Sequence, residues 1–137
     1  VPLKKELEIL ESYIELEKMR YNERLELTYE IHGEADNHQI APLILLPFIE
    51  NSFKHGASND RIKPNIKIRI EIHPGNLHLQ VLNSVPAEKK VDESVGEGIG
   101  LKNVRRRLDL IYPQQYTLVV EPGEKQFEVD LKIFWKK

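Results

Sequence analysis

Several residue types are missing or scarce in this sequence. It has no cysteine, which excludes disulfides and thiolate metal sites and favours a reducing compartment. Its longest apolar run, around residues 40–49, is too short to span a bilayer and is interrupted by Pro42 and Pro47. The 20 Lys and Arg residues nearly balance the 22 Asp and Glu residues, and the net charge of -2 gives no overall attraction to nucleic acid or an anionic membrane.

What is present is about one domain of chain. The 137 residues can bury one hydrophobic core, and no internal repeat or signal peptide is evident. The sequence begins with Val1 rather than Met, so we expect it to be a piece of a longer protein.

The first 22 residues have a heptad-like pattern that predicts a helix. Leu3, Leu7, Leu10 and Ile14 recur at spacings of three and four, with charged residues between them. This pattern fits either a surface helix packed on its own domain or the end of a dimerising helix. We therefore divide the chain into residues 1–22, the end of a dimerisation helix or a linker, and residues 23–137, a second unit.

The remaining pattern predicts five strands and two more helices. Alternating apolar residues indicate strands at 24–31, 66–73, 77–83, 116–122 and 126–135. Helices are predicted at about 41–55 and 100–112, and the polar, glycine-containing residues 84–99 predict a mobile loop. Pro47 lies inside the first of these spans, so that helix either begins just before Pro47 or is kinked in an early turn. This order predicts an α+β fold: a two-layer sandwich of a mixed, mostly antiparallel sheet with helices on one face.

Polar residues concentrate on the predicted helix that contains PFIENSFKHG, residues 47–56. Glu50 and Lys54 are four apart, as are Asn51 and His55, so the four side chains share one face. That face could be merely solvated, with an ion pair that contributes a few tenths of a kcal/mol, roughly. Asparagine is, however, a mediocre residue inside a helix, and its amide oxygen suits Mg²⁺ that is also bound by phosphates.

A second candidate site lies in GEGIGLKNVRRRL, residues 96–108. Gly96, Gly98 and Gly100 precede a helix, and glycines let the backbone approach a ligand closely. The N-terminus of a helix adds free N–H groups and a positive dipole end, which favour phosphate. A glycine-rich turn alone is a weak signal, because flexible loops use the same residues.

These two segments together resemble a known family. PLILLPFIENSFKHG resembles the N box of sensor histidine kinases, and GEGIGLKNVRRRLDLIYP resembles their second glycine box and its helix. The sequences of both segments are similar to those of the LytS-like class of bacterial membrane-associated kinases. The first 27 residues resemble the segment that joins the phosphoacceptor region of these kinases to their ATP-binding domain. The resemblance implies a Bergerat-type ATPase fold for residues 23–137, with ATP and Mg²⁺ as ligands.

The resemblance also implies a role for individual residues. Asn51 would ligate Mg²⁺, and Glu50 would be the catalytic acid that assists phosphoryl transfer. The implied nucleotide-binding residues are Asn51, Lys54, His55, Asn83, Gly96, Gly98, Gly100 and Leu101, and residues 84–97 would form the ATP lid.

Two departures from the family pattern matter. Asn83 stands where the family has an aspartate that binds adenine, and Val85 and Ala87 stand where glycines are expected. No histidine lies in the family's Pro-His-Phe phosphoacceptor context, so we expect no autophosphorylation of this chain.

The leading hypothesis is therefore the ATP-binding catalytic domain of a two-component sensor histidine kinase. It would transfer the γ-phosphoryl group of ATP to a histidine on a dimerisation domain, from which the group passes to a response regulator. The full-length protein would act as a homodimer. It would be the cytoplasmic domain of an inner-membrane sensor, with no nucleic-acid partner. The altered segment at Asn83 motivates an alternative, a weakly binding or inactive nucleotide module for dimerisation and signal transmission; a gyrase- or chaperone-type ATPase is a third hypothesis.

Overall fold

The computed structural model describes residues 1–21, 24–56, 64–84 and 99–135. Three helices and five strands follow one another in the predicted order: α1 (Leu3–Tyr21), β1 (Glu26–His32), α2 (Leu46–Gly56), β2 (Asn65–Ile72), β3 (Asn76–Ser84), α3 (Ile99–Ile111), β4 (Tyr116–Pro122) and β5 (Gln126–Phe134). The predicted mobile loop and ATP lid, except for the residues at their edges, lie outside the described residues.

The five strands form one sheet in the order β1-β2-β3-β5-β4. β1 and β2 pair in parallel, and the other three pairings are antiparallel. Two tight turns connect neighbouring strands: Pro74–Gly75 joins β2 to β3, and Pro122–Gly123 begins the turn from β4 to β5. The predicted fold class, a mixed and mostly antiparallel sheet with helices on one face, is confirmed.

The period-2 pattern of the strands places one face of the sheet in the core. Ile66, Ile68, Ile70 and Ile72 of β2 are buried, whereas the intervening side chains point to the other face. The same alternation in β3 buries Leu77, Leu79, Val81 and Asn83. Asn83 is thus a polar side chain on an otherwise apolar face.

The helices cover that face. α2 packs on β2 and β3 and also contacts α1 and α3. The four apolar residues of the α1 pattern, Leu3, Leu7, Leu10 and Ile14, are all buried in the same core as the sheet. α1 therefore packs on its own domain, which was one of the two interpretations of its heptad-like pattern.

The start of α2 agrees with one of the two predicted alternatives. Periodicity predicted a helix from about Ala41 and Pro47 allowed a start just before it, and the helix begins at Leu46. Leu43 has a φ of 55°, a left-handed conformation that interrupts a right-handed helix. The residues from Ala41 to Leu45, which we call the pre-α2 segment, form an irregular turn whose polar groups bind side chains from other elements.

No helix among the described residues is long and apolar enough to cross a membrane.

Candidate functional site

The polar face of α2 lies as the sequence predicted. Ile49 and Phe53 are buried, while Glu50 and Lys54 are exposed and Asn51 is half-buried. His55 belongs to the helix, but its side chain lies outside the described part of the structure. Leu46 is half-buried, and Phe48 fills the core beside Ile49.

Asn51 has the chemistry required of a metal ligand. No described residue forms a hydrogen bond with its side chain, so its amide oxygen is available at the border between core and solvent. Within the described part of the chain, no group of three or more His, Asp or Glu side chains could hold a metal ion without help. A cation at Asn51 would need further oxygen ligands from phosphates or water, which is the usual environment of Mg²⁺.

Asn83 supplies an unpaired acceptor at the end of β3. The residue is 1% exposed, and its Nδ2 donates a hydrogen bond to the Ser84 carbonyl oxygen over 3.1 Å. Its Oδ1 is buried and has no hydrogen-bond partner among the described residues. A buried acceptor without a donor costs about 1–3 kcal/mol, so this oxygen fits the amino group of a bound ligand.

Two other buried oxygen atoms of the described residues also lack hydrogen-bond partners. Tyr29 Oη lies on β1, on the same core face of the sheet, and there burial raises the pKa of the phenol to about 12 and the charge of Glu11 adds to the rise. Asn65 Oδ1 lies at the start of β2, and the strand alternation places its side chain opposite Ile66, away from the core face. Of these three residues, Asn83 is the one on β3, a strand on which α2 packs.

The N-terminus of α3 is the third part of the site. Gly100 lies in its first turn and is exposed, and a Cβ atom there would meet nothing within 4 Å. Leu101 is 2% exposed, so its side chain belongs to the core and only its backbone N–H could face a phosphate. Gly96 and Gly98 lie outside the described residues, as do Val85 and Ala87.

Two open clefts lie away from these residues. One, of about 400 Å³, covers the outer face of the sheet between Thr28, Arg69 and Glu128. The other, of about 360 Å³, adjoins His38 and Trp135, whose rings stack with centroids 4.9 Å apart. Neither is lined by Asn51, Asn83 or Gly100.

Comparisons with known proteins agree with the fold and with the predicted family. The chain is 28% identical over 137 residues to the sensor protein LytS of Oceanobacillus iheyensis, a match that covers 91% of this chain and 23% of that protein. It is 29% identical over 120 residues to the sensor histidine kinase YesM of Bacillus subtilis, which covers 86% of this chain and 21% of that protein. The chain is a homologue of the LytS-like sensor proteins.

Solved structures identify the fold of this LytS-like chain. It superposes on the catalytic domain of the histidine kinase ThkA with a TM-score of 0.71 and 16% identity, covering 97% of this chain and 94% of that one. The LytS-like chain spans about a quarter of the length of the LytS proteins that it matches. No protein-family model matches it.

Sequence reasoning missed two residues of α1 that contact α2 or the segment before it. The Tyr13 ring meets the Phe53 ring edge-on, with centroids 5.7 Å apart, and burial raises the Tyr13 pKa to about 12, with Glu17 and Glu50 adding to the rise. Glu6 is 1% exposed and binds the pre-α2 segment. The spacing of Glu6 could have predicted its burial. Glu6 lies three positions after Leu3 and four positions before Leu10, which places it on the buried face of the helix.

Proposed function

We propose that this chain is the ATP-binding catalytic domain of a two-component sensor histidine kinase. The observation that carries the proposal is the buried, unpaired Oδ1 of Asn83. It lies at the position where the resembling family binds the adenine amino group, and an amide oxygen can accept one hydrogen bond from that group. The same oxygen argues against the alternative of an inactive module. Without a ligand, such a module would retain the desolvation cost of the buried Asn83 Oδ1.

Each remaining part of the site has a role in this proposal. Asn51 would hold Mg²⁺, and the exposed Lys54 on the next turn would meet phosphate charge. Gly100 and the Leu101 N–H, at the positive end of the α3 dipole, would bind phosphate oxygens without a steric obstacle. Bound Mg²⁺ would neutralise charge that develops on the transferred phosphoryl group. Glu50, exposed on the same helix, would act on the accepting group as a general base or acid.

The substrates and partners are proposed at the level of the whole protein. The γ-phosphoryl group would go to a histidine on a dimerisation domain and then to a response regulator. ThkA, whose fold this chain shares, has been solved in a complex with the response regulator protein TrrA. We place the domain in the cytoplasm of a membrane-associated homodimeric sensor, and α1 at the junction with its dimerisation region.

Calorimetry of ATP and ADP binding, with and without Mg²⁺, tests the proposal. Wild type should bind both nucleotides, and Mg²⁺ should tighten binding. Asn51→Ala and Asn51→Asp should abolish Mg²⁺-dependent binding, because both remove the neutral amide oxygen. Asn76→Ala is the matched control, since Asn76 is half-buried at the opposite end of β3 from Asn83. Equal nucleotide affinity in wild type and both Asn51 variants would refute the metal assignment, and no binding to wild type would refute the nucleotide site.

A further inference from the structure

The carboxylate of Glu6 binds the backbone immediately before α2. One oxygen, Oε1, accepts a hydrogen bond from the Leu43 N–H at 3.0 Å. The other, Oε2, accepts from the N–H groups of Ile44 and Leu45 at 2.9 and 3.2 Å. A buried carboxylate is stable only when such donors surround it, and the positive end of the α2 dipole favours its charge further. Glu6 therefore fixes the start of α2 to α1.

One side chain of α3 and one just beyond this helix also bind the pre-α2 segment. Arg107 donates from Nη1 to the Leu43 carbonyl oxygen at 2.9 Å and from Nη2 to the Pro42 carbonyl oxygen at 2.7 Å. Just beyond α3, the hydroxyl oxygen of Tyr112 accepts a hydrogen bond from the Ala41 N–H at 2.9 Å. The segment is thus held through both its N–H groups and its carbonyl groups.

This arrangement explains how an irregular turn can be rigid. The left-handed φ of Leu43 is unfavourable for a residue with a side chain, and such a conformation persists only where its surroundings determine it. Glu6 and Arg107 bind the N–H and the carbonyl oxygen of that same residue. Together they set the direction in which α2 leaves the turn.

The consequence reaches Asn51 through the helix itself. Asn51 lies six residues after Leu45, or about 9 Å along the helix axis at 1.5 Å per residue. Farther along α2, Phe53 meets the Tyr13 ring of α1 at a centroid distance of 5.7 Å. α1 therefore contacts α2 on both sides of Asn51, and a shift at the start of α2 would displace the Asn51 side chain.

We infer that Glu6 and Arg107 are positioning residues that hold α2, and with it Asn51, in the orientation needed to bind a metal–nucleotide complex. The helix orientation follows from the contacts above, whereas the metal–nucleotide part rests on the function proposed for Asn51. Because Glu6 belongs to α1 and Arg107 to α3, the turn also connects the first helix of the chain to both helices of the site. The position of α1 thereby influences nucleotide affinity.

Hydrogen exchange, followed residue by residue by NMR, tests the orientation of α2. In Glu6→Gln the amide NH₂ replaces one acceptor oxygen and faces a backbone N–H, so donors oppose each other. Exchange at residues 43–51 should speed up by at least about tenfold, since losing one charge-assisted hydrogen bond shifts a local opening equilibrium by that factor. Glu8→Gln, exposed on the same helix, should leave exchange unchanged.

A second pair of variants covers the case in which Glu6→Gln does not fold. Arg107→Lys replaces a two-pronged donor by a single ammonium group that can reach only one of the two carbonyl oxygens. Exchange across residues 43–51 should again speed up, and the exposed neighbour Arg106 supplies the matched control Arg106→Lys. Faster exchange confined to the pre-α2 segment, with unchanged rates from Phe48 to Asn51, would overturn the inference.

The metal dependence separates positioning from general stability. We would measure ADP affinity with and without Mg²⁺, well below the unfolding temperature, in wild type, Glu6→Gln, Asn51→Ala and the double variant. The Mg²⁺-dependent gain should fall in Glu6→Gln, and the double variant should lose no more of it than Asn51→Ala alone. A lower Tm with an unchanged gain would mean that Glu6 is only structural. If wild type shows no gain while exchange still responds, the function proposed for Asn51 fails and the role of Glu6 in orienting α2 stands.

Discussion

Replacement of Asn83 by alanine should separate nucleotide affinity from stability. In the free protein the change removes the hydrogen bond from Nδ2 to the Ser84 carbonyl oxygen, which contributes about 1 kcal/mol. It also removes the buried, unpaired Oδ1, whose desolvation costs about 1–3 kcal/mol. The two effects oppose each other, so we expect the free energy of unfolding to rise by about 0 to 2 kcal/mol.

Nucleotide binding should weaken, and in a base-specific way. Loss of the acceptor should weaken ATP binding by about 0.5–1.5 kcal/mol, or roughly two- to tenfold in Kd. GTP presents a carbonyl oxygen where ATP presents an amino group. Asn83 Oδ1 of wild type should repel this guanine oxygen, because both atoms are hydrogen-bond acceptors. Asn83→Ala should therefore lower the ratio of the dissociation constant of GTP to that of ATP.

Calorimetry with Mg·ATP and Mg·GTP, together with urea unfolding, would measure both effects. Gln80→Ala is the matched control, because Gln80 lies on β3 with its side chain on the outer face of the sheet. Asn83→Asp should raise this ratio, because a charged acceptor strengthens the hydrogen bond to the adenine amino group and repels the guanine oxygen. A ratio that is the same in wild type, Asn83→Ala and Asn83→Asp would refute the adenine assignment.

Three further predictions concern the fold. Leu10→Ala, at a fully buried site of α1, should cost about 2–5 kcal/mol in the main unfolding transition, whereas exposed Leu16→Ala should change it by less than about 0.5 kcal/mol; equal effects would show that α1 does not belong to the cooperative unit. A Cβ on Gly33, at a φ of +106°, would lie 2.1 Å from a carbonyl oxygen of β2, so Gly33→Ala should lower Tm far more than Gly75→Ala, which meets nothing. Burial favours neutral Tyr13, whose pKa rises from 10.0 to about 12, so its contribution to stability is complete below pH 10 and is lost as the pH rises through about 12; in urea unfolding as a function of pH, Tyr13→Phe should flatten this decline, and an unchanged decline would contradict it.

The elements of the fold could be predicted because their periodicity is local. The alternation of β2 and β3 and the spacing of Leu3, Leu7, Leu10 and Ile14 each reflect burial on one face, which a sequence displays directly. The start of α2 could be predicted only as one of two alternatives, because the pre-α2 segment has helical periodicity, while its backbone is set by hydrogen bonds to Glu6 and Arg107. Those partners lie 38 and 65 positions away, and no local pattern contains them.

The candidate site was only partly readable for a related reason. The polar face of α2 and the glycines before α3 could be found locally, but their assignment to one site depended on the resemblance to sensor histidine kinases. Asn83 was identified as a departure from the family pattern, and the alternation of β3 placed its side chain on the core face. That its Nδ2 is bound while its Oδ1 is unpaired depends on tertiary structure, which the sequence could not supply.

The buried polar residues of the described chain separate structural roles from binding roles. Three polar side chains are essentially inaccessible to solvent: Glu6, Ser52 and Asn83. Ser52 donates to the Ile49 carbonyl oxygen at 2.7 Å, and Glu6 accepts three backbone hydrogen bonds, so the fold itself satisfies both. Of these three side chains, only Asn83 retains an acceptor that the described residues leave unpaired. Since α2 lies over β3, the proposed function would make Asn83 and the helix that Glu6 holds parts of one nucleotide site, and nucleotide affinity should then depend on both.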